Sequence, residues 1–218
     1  MQPIVVSVGP LVAADPNGIC ESQTTAGAAD LTLDGVLVTD GVAVLDALRQ
    51  IGITSAGNDT GVTFTVYGTT YGGVSISEAV TGVSGSTATT AIDFLTVTRV
   101  STSSATSASG VTVGTTNVAG SRWVRLDSWA NNNTSIQCNV SGTANYTVQV
   151  TMDDPNSPTN PVTPVNVTWI NTNDTDAVSA ISDIFTNFQF TPTFARVLLN
   201  SGTGTVTATF AQFNVVNL

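Results

Sequence analysis

The side chains that carry most enzyme chemistry are scarce in this chain of 218 residues, and histidine is missing altogether. Without an imidazole, neither a Ser-His-Asp nor a Cys-His arrangement is available, nor a His-based metal site. Carboxylates remain, fifteen in all, and only Glu21 and Glu78 are glutamates. Paired carboxylates can hydrolyse a glycan, but the aspartates here sit among turn-forming residues. Asp153-Asp154 and Asp174-x-Asp176 offer the oxygen ligands that Ca²⁺ takes. Each lacks the further ligands of a loop motif, and capping a turn is the simpler use for such acids. No Gly-rich stretch is followed by Gly-Lys-[Ser/Thr], so these stretches read as hairpin turns and not as phosphate cradles. Cys20 and Cys138 have neither disulfide-framework nor metal spacing. They either pair or stay as two reduced, buried thiols that act as small hydrophobes. The expectation is a protein without catalytic residues, metal or cofactor, and not an enzyme.

Charge narrows the partners. Fifteen acids against five bases give −10, and the bases are Arg49, Arg99, Arg122, Arg125 and Arg196. Neutralising a phosphate backbone requires clustered Lys or Arg, so no nucleic-acid partner is expected, and the acidic excess would repel an anionic membrane as well. Charged residues make up only 9% of the chain and hydrophobic ones 41%, with a mean hydropathy of +0.25. Disordered chains have the opposite balance, so this one is expected to fold, its acids keeping an apolar β surface in solution. The opening Met-Gln-Pro and the short apolar run 4–8 lack a basic n-region and a cleavage site. The chain therefore reads as made in the cytoplasm without a secretory signal, and no apolar stretch is long enough for a spanning helix. The seven N-x-[ST] triplets then carry no glycan.

The elements that would position any site are strands. Ser and Thr are about a quarter of the chain, and Thr and Val both suit a pleated, half-buried surface. Val62, Phe64 and Val66 alternate with Thr63, Thr65 and Tyr67, which predicts a strand with one apolar face. Residues 55–61 hold Gly, Asn and Asp, so 51–54 and 62–67 read as a hairpin. Tyr71-Gly72-Gly73 makes the next turn, 74–80 a third strand and 92–100 a fourth, an antiparallel meander. Trp123, on a strand over 122–126, reads as either a core or an interface anchor. Further on, Tyr146, Val148, Val150 and Met152 face one way, and Asn145, Thr147, Gln149 and Thr151 the other. Four prolines make 155–164 a stiff surface loop, and Val165, Val167 and Trp169 form the next inward face. Ala177, Ile181, Ile184 and Phe185 have helical spacing over 176–185, and 194–200 and 205–210 close the chain as strands. The expected fold is all-β, two antiparallel sandwich- or barrel-like units behind an extended N-terminal arm. The boundaries are 1–30 for the arm, 31–127 for the first unit and 128–218 for the second.

The run LTLDGVLVTDGVAVLDALRQIGITSAGNDTGVTFTVYGTTYGG, then EAVTG, resembles the amino-terminal half of virion structural proteins of tailed bacteriophages. GTANYTVQVTMDDPN and FTPTFARVLLNSGTGTVTATFAQ resemble the carboxy-terminal β domain that accompanies it. Together they cover most of residues 20–213. The resemblance implies self-assembly on a particle and no enzymatic activity, with two placements. One is a head decoration (cement) protein on the outer capsid surface, partnered by the major capsid protein and copies of itself. The other is a tail-tube, connector or receptor-binding fibre component. Long fibres carry repeats or heptads, and their lack here favours the head. Contacts are expected from the arm, at Ile4, Val6, Val8 and Leu11, and from the tail, at Phe213, Val215 and Leu218. The arm packs on its own domain or reaches a neighbour.

Overall fold

Alternating Val and Thr put an apolar face against a hydroxyl face along most of the chain, and the fold is nearly all β. The computed structural model describes residues 3–127, 134–188 and 190–212. In chain order the strands are β1 (Ile4–Val8), β2 (Cys20–Gln23), β3 (Ala29–Asp30), β4 (Val38–Thr39), β5 (Val42–Asn58) and β6 (Thr63–Thr69). There follow β7 (Ser75–Thr81), β8 (Ser84–Thr89), β9 (Phe94–Thr102), β10 (Val111–Gly120), β11 (Val124–Arg125) and β12 (Thr134–Ser141). The last are β13 (Ala144–Thr151), β14 (Ile170–Asn171), β15 (Ile184–Phe188), β16 (Phe194–Gly202) and β17 (Thr205–Gln212). The helices among the described residues are short 3-10 turns, at Tyr71–Gly73, Pro164–Asn166 and Thr175–Ala177.

Two compact units form, one from Val12–Asn117 and the other from Met1–Leu11 together with Val118–Leu218. They divide the chain at 11 and 117, where the sequence pattern suggested 30 and 127. Strand pairing accounts for the difference. β1 lies antiparallel on β17, from Ile4↔Phe210 to Val8↔Val206, so the first residues are an edge strand of the later unit. β2 instead pairs with β10 at Val111↔Gln23 and Val113↔Cys20, which commits residues 12–30 to the earlier one.

In the 12–117 unit the strand order is β10-β5-β9-β6-β7, with β4 and β8 also on β5 and β3 on β9. β6 and β7 form a full hairpin, Thr63↔Thr81 to Thr69↔Ser75, turned through Gly72 and Gly73 at φ 80 and 76. Side chains avoid that left-handed region, which is why two glycines stand there. The expected hairpin between 51–54 and 62–67 does not form. β5 runs on through Asn58, and β9 separates it from β6. The chain does turn after Asp59, whose carbonyl accepts from Val62 N at 2.9 Å, but it turns out of register with β5. Gly68 marks the bulge where β6 meets β9, since a Cβ there would stand 1.9 Å from the Thr96 carbonyl oxygen. The core gathers Ile19, Ile51, Ile53, Phe64, Phe94 and Val97, all fully buried. Each such side chain contributes about 1.5–3 kcal/mol.

The other unit is a sandwich of a four-stranded sheet, β1-β17-β12-β15, and a sheet β14-β13-β16 that β11 and the end of β10 join through β16. β17 alternates as its sequence predicts, with Val206, Ala208 and Phe210 buried and Thr205, Thr207 and Thr209 outward. β13 departs from its pattern. Tyr146, Val148 and Val150 are buried, but so are Thr147 and Thr151, while Met152 lies beyond the strand end, 67% exposed. Thr147 is covered because its hydroxyl accepts from Ser179 N and Asn200 Nδ2, both at 3.0 Å. Residues 152–169 form a loop, so Val165, Val167 and Trp169 are not the inward face of a strand. Beyond the 3-10 turn at Thr175–Ala177, no helix forms over 176–185. Ser179 takes a positive φ of 54, Ile184 begins β15, and Ile181 and Phe185 are exposed.

Candidate functional site

The carboxylates are built into turns and strand ends. Asp174 caps the Thr175–Ala177 turn by accepting from Asp176 N at 3.0 Å, and its other oxygen accepts from the Thr186 hydroxyl. Asp153 accepts from Thr168 N at 2.7 Å, closing the proline-rich loop across its two ends. Asp154 takes Arg125 in a bidentate pair at 3.1 and 2.8 Å and caps Asn156 N. Those hydrogen bonds from Arg125 hold its carboxyl below the ordinary value. Glu78 grips Ala91 N and Ile92 N, one with each oxygen. Asp59, fully buried, accepts from Ser107 N and its hydroxyl, at 2.6 and 3.2 Å. Among the described residues, no cluster of three or more Asp, Glu, Cys or His could hold a metal ion.

The arginines are likewise engaged. Arg49 is 1% exposed and donates to Asp46 at 2.6 and 2.7 Å, to Thr116 O at 3.0 Å and to Val12 O. Burial would raise the Asp46 carboxyl, but hydrogen bonds from Arg49 and Val12 N outweigh it and hold the group below its usual value. No sequence signal marks this node, because Val12 and Thr116 reach it from far along the chain. Arg99 lies 3.9 Å over the Tyr67 ring. Arg122 donates to Val5 O at 2.9 Å. Trp123 meets Trp169 edge-on at 5.1 Å and Phe194 at 5.9 Å, and Arg196 caps Trp169 at 4.5 Å. Trp123 is half-buried and anchors this cluster within its own unit.

Cys20 and Cys138 are free and buried, one in each unit. Burial pushes both thiols up to about 12, with Asp34 adding to the rise at Cys20. They are packing residues at neutral pH.

The arm residues expected to make contacts divide by face. Val6 and Val8 are 3% exposed and fill the sandwich, Leu11 is buried, and Ile4 is half-buried. What β1 turns outward is Val5, 48% exposed, and Ser7, whose hydroxyl sits 3.0 Å from that of Thr207. Phe213, Val215 and Leu218 lie outside the described residues, as do 128–133.

Outward positions on the four strands of this sheet carry no ionisable side chain, and Asp183, just before β15, reaches the face by accepting from Asn139 Nδ2 at 3.4 Å and Val140 N at 2.7 Å. Val5 and Ser7 on β1 are followed by Thr205, Thr207 and Thr209 on β17. Ser135, Gln137 and Asn139 on β12 come next, then Phe185 and Asn187 on β15. Sequence reading of single strands shows the Thr alternation but not that four outward rows align. The register is what brings them together.

No helix among the described residues is long and apolar enough to cross a membrane. Comparison with known proteins finds no matching family model, no similar curated protein and no similar solved structure.

Proposed function

We propose that this chain is a structural virion protein of a tailed bacteriophage, a decoration or cement protein bound on the outer capsid surface. It holds the major capsid protein and copies of itself by non-covalent contacts and catalyses no reaction. The observation that carries the reading beyond the sequence resemblance is the outer face of the β1-β17-β12-β15 sheet, whose strands turn no charged side chain outward. In a chain of −10, such a face is where another protein surface can approach with Asp183, beside Asn139, as the carboxylate it meets. Its hydroxyls and amides both donate and accept, so they suit a static protein contact. Arg49 and Arg196 are buried, and the exposed Arg99, Arg122 and Arg125 each contact a neighbouring side chain or carbonyl, which supports the expectation of no nucleic-acid partner.

The test is addition of purified protein to heads of the parent phage that lack it. Docking at fixed sites, with a rise in the temperature at which the heads release DNA, is the expected result. Heads that ignore the protein while tails or host cells retain it would move the assignment to a tail or fibre component.

A further inference from the structure

The sheet β1-β17-β12-β15 ends on two unlike edges. At β1 the Val5 carbonyl is taken by Arg122. At the far side β15 pairs with β12 along its whole length, Thr134↔Phe188 to Cys138↔Ile184, and among the described residues no strand lies beyond it. Strand edges are ordinarily guarded by charge, proline or a covering loop, because their unpaired main chain templates another strand. β15 reads Ile-Phe-Thr-Asn-Phe, with neither charge nor proline.

A groove follows this edge. It consists of two adjoining hollows, about 520 and 280 Å³ in volume, which share Asp174, Thr175 and Thr186. β15 forms one wall and residues 172–183 most of the other. Asp174, Asp176 and Asp183 line it, and no basic residue does. Ile181, Phe185 and Phe190 stand beside them, 73%, 76% and 46% exposed.

We propose that this groove receives an extended segment of a different polypeptide, which adds to β15 as a fifth strand of the sheet. Main-chain hydrogen bonds to Ile184–Phe188 supply the grip, and alternate side chains supply the choice. The three aspartates call for Lys or Arg on one side of the incoming strand, and the exposed Phe and Ile side chains for apolar residues on the other. A second copy of the chain, at −10, brings like charge to those aspartates and is disfavoured. The inference stands independently of the virion reading, since it concerns what the edge accepts and not where the protein is placed.

The test uses the full chain and capped heptapeptides of alternating Lys and Val, with a Glu-Val peptide as control. Binding is read by fluorescence anisotropy, and its location by hydrogen exchange. The Lys-Val peptide is expected to bind at least tenfold tighter than the Glu-Val peptide and to slow exchange at 184–188. Asp176→Lys changes an exposed carboxylate that accepts no fold hydrogen bond. It is expected to weaken binding at least fivefold with an unchanged melting curve. Equal binding of the two peptides, protection at residues 4–8 in place of 184–188, or dimers formed through β15 would each overturn the proposal.

Discussion

The two units use the same Val- and Thr-rich grammar to different ends. The 12–117 unit closes its polar groups inward: Arg49 is buried in a four-way node, Asp59 is fully buried against Ser107, and Glu78 holds the 91–92 turn. The other unit leaves more of its large apolar side chains outside. Met152, Ile170, Ile181, Phe185 and Phe190 are all exposed, the last three beside the β15 edge, whereas the exposed Val12, Val36, Val44, Tyr71 and Val74 of the 12–117 unit include no Phe or Ile. Exposed apolar side chains gathered in one region mark contact surfaces, whereas scattered ones do not. On the proposed reading the first unit serves as scaffold and the second carries the contacts.

Each unit holds one buried cysteine, so thiol labelling follows the two separately. The largest effects test whether the units are independent. Phe64→Ala removes a fully buried ring from the 12–117 core and is expected to cost about 3–5 kcal/mol. Labelling should accelerate at Cys20 and stay unchanged at Cys138, and Phe210→Ala should give the reverse. Equal acceleration at both thiols would erase the distinction.

Arg49→Met is expected to cost about 3 kcal/mol or more, because it strands Asp46 and two carbonyl oxygens at a buried site. Arg125→Ala breaks a bidentate pair at a side chain 56% exposed and should cost about 1 kcal/mol or less. Denaturant midpoints for the two variants measure how much more the inward-closed unit depends on its charge.

Acid sharpens the same contrast. The folded Asp46 carboxyl lies below its unfolded value of about 4, so its contribution is complete above that pH and is lost as the pH falls through the folded value. Asp46→Asn should flatten the acid limb of the stability curve, followed by circular dichroism from pH 5 to pH 2. A change of the same order is expected at the turn cap: Asp174→Ala should cost about 1 kcal/mol, read from the Cys138 labelling rate.

Local pattern was legible wherever the partner strand was near in sequence. The β6–β7 hairpin follows from Tyr71-Gly72-Gly73, because only glycine accepts the φ values there without strain. The all-β fold follows from Val/Thr alternation. Long-range pairing was not legible. The turn residues at 55–61 are equally good for a hairpin or for a strand that leaves the sheet, and β9, some thirty residues on, decided between them. In the same way Val5 and Ser7 became outward positions only when β17 paired with β1. The spacing of Ala177, Ile181, Ile184 and Phe185 imitates an amphipathic helix. Its apolar positions do not share one interior, since Ala177 is buried and Phe185 faces solvent. The groove beside β15 depends on where the 172–183 segment returns, which no periodicity encodes.

The most direct measurement is hydrogen exchange on the chain before and after it is mixed with phage heads that lack it. The account predicts slowed exchange in β12, β15 and β17, with residues 12–117 unchanged. Protection confined to 12–117, or no change anywhere at saturating heads, would contradict the assignment of contact to the second unit.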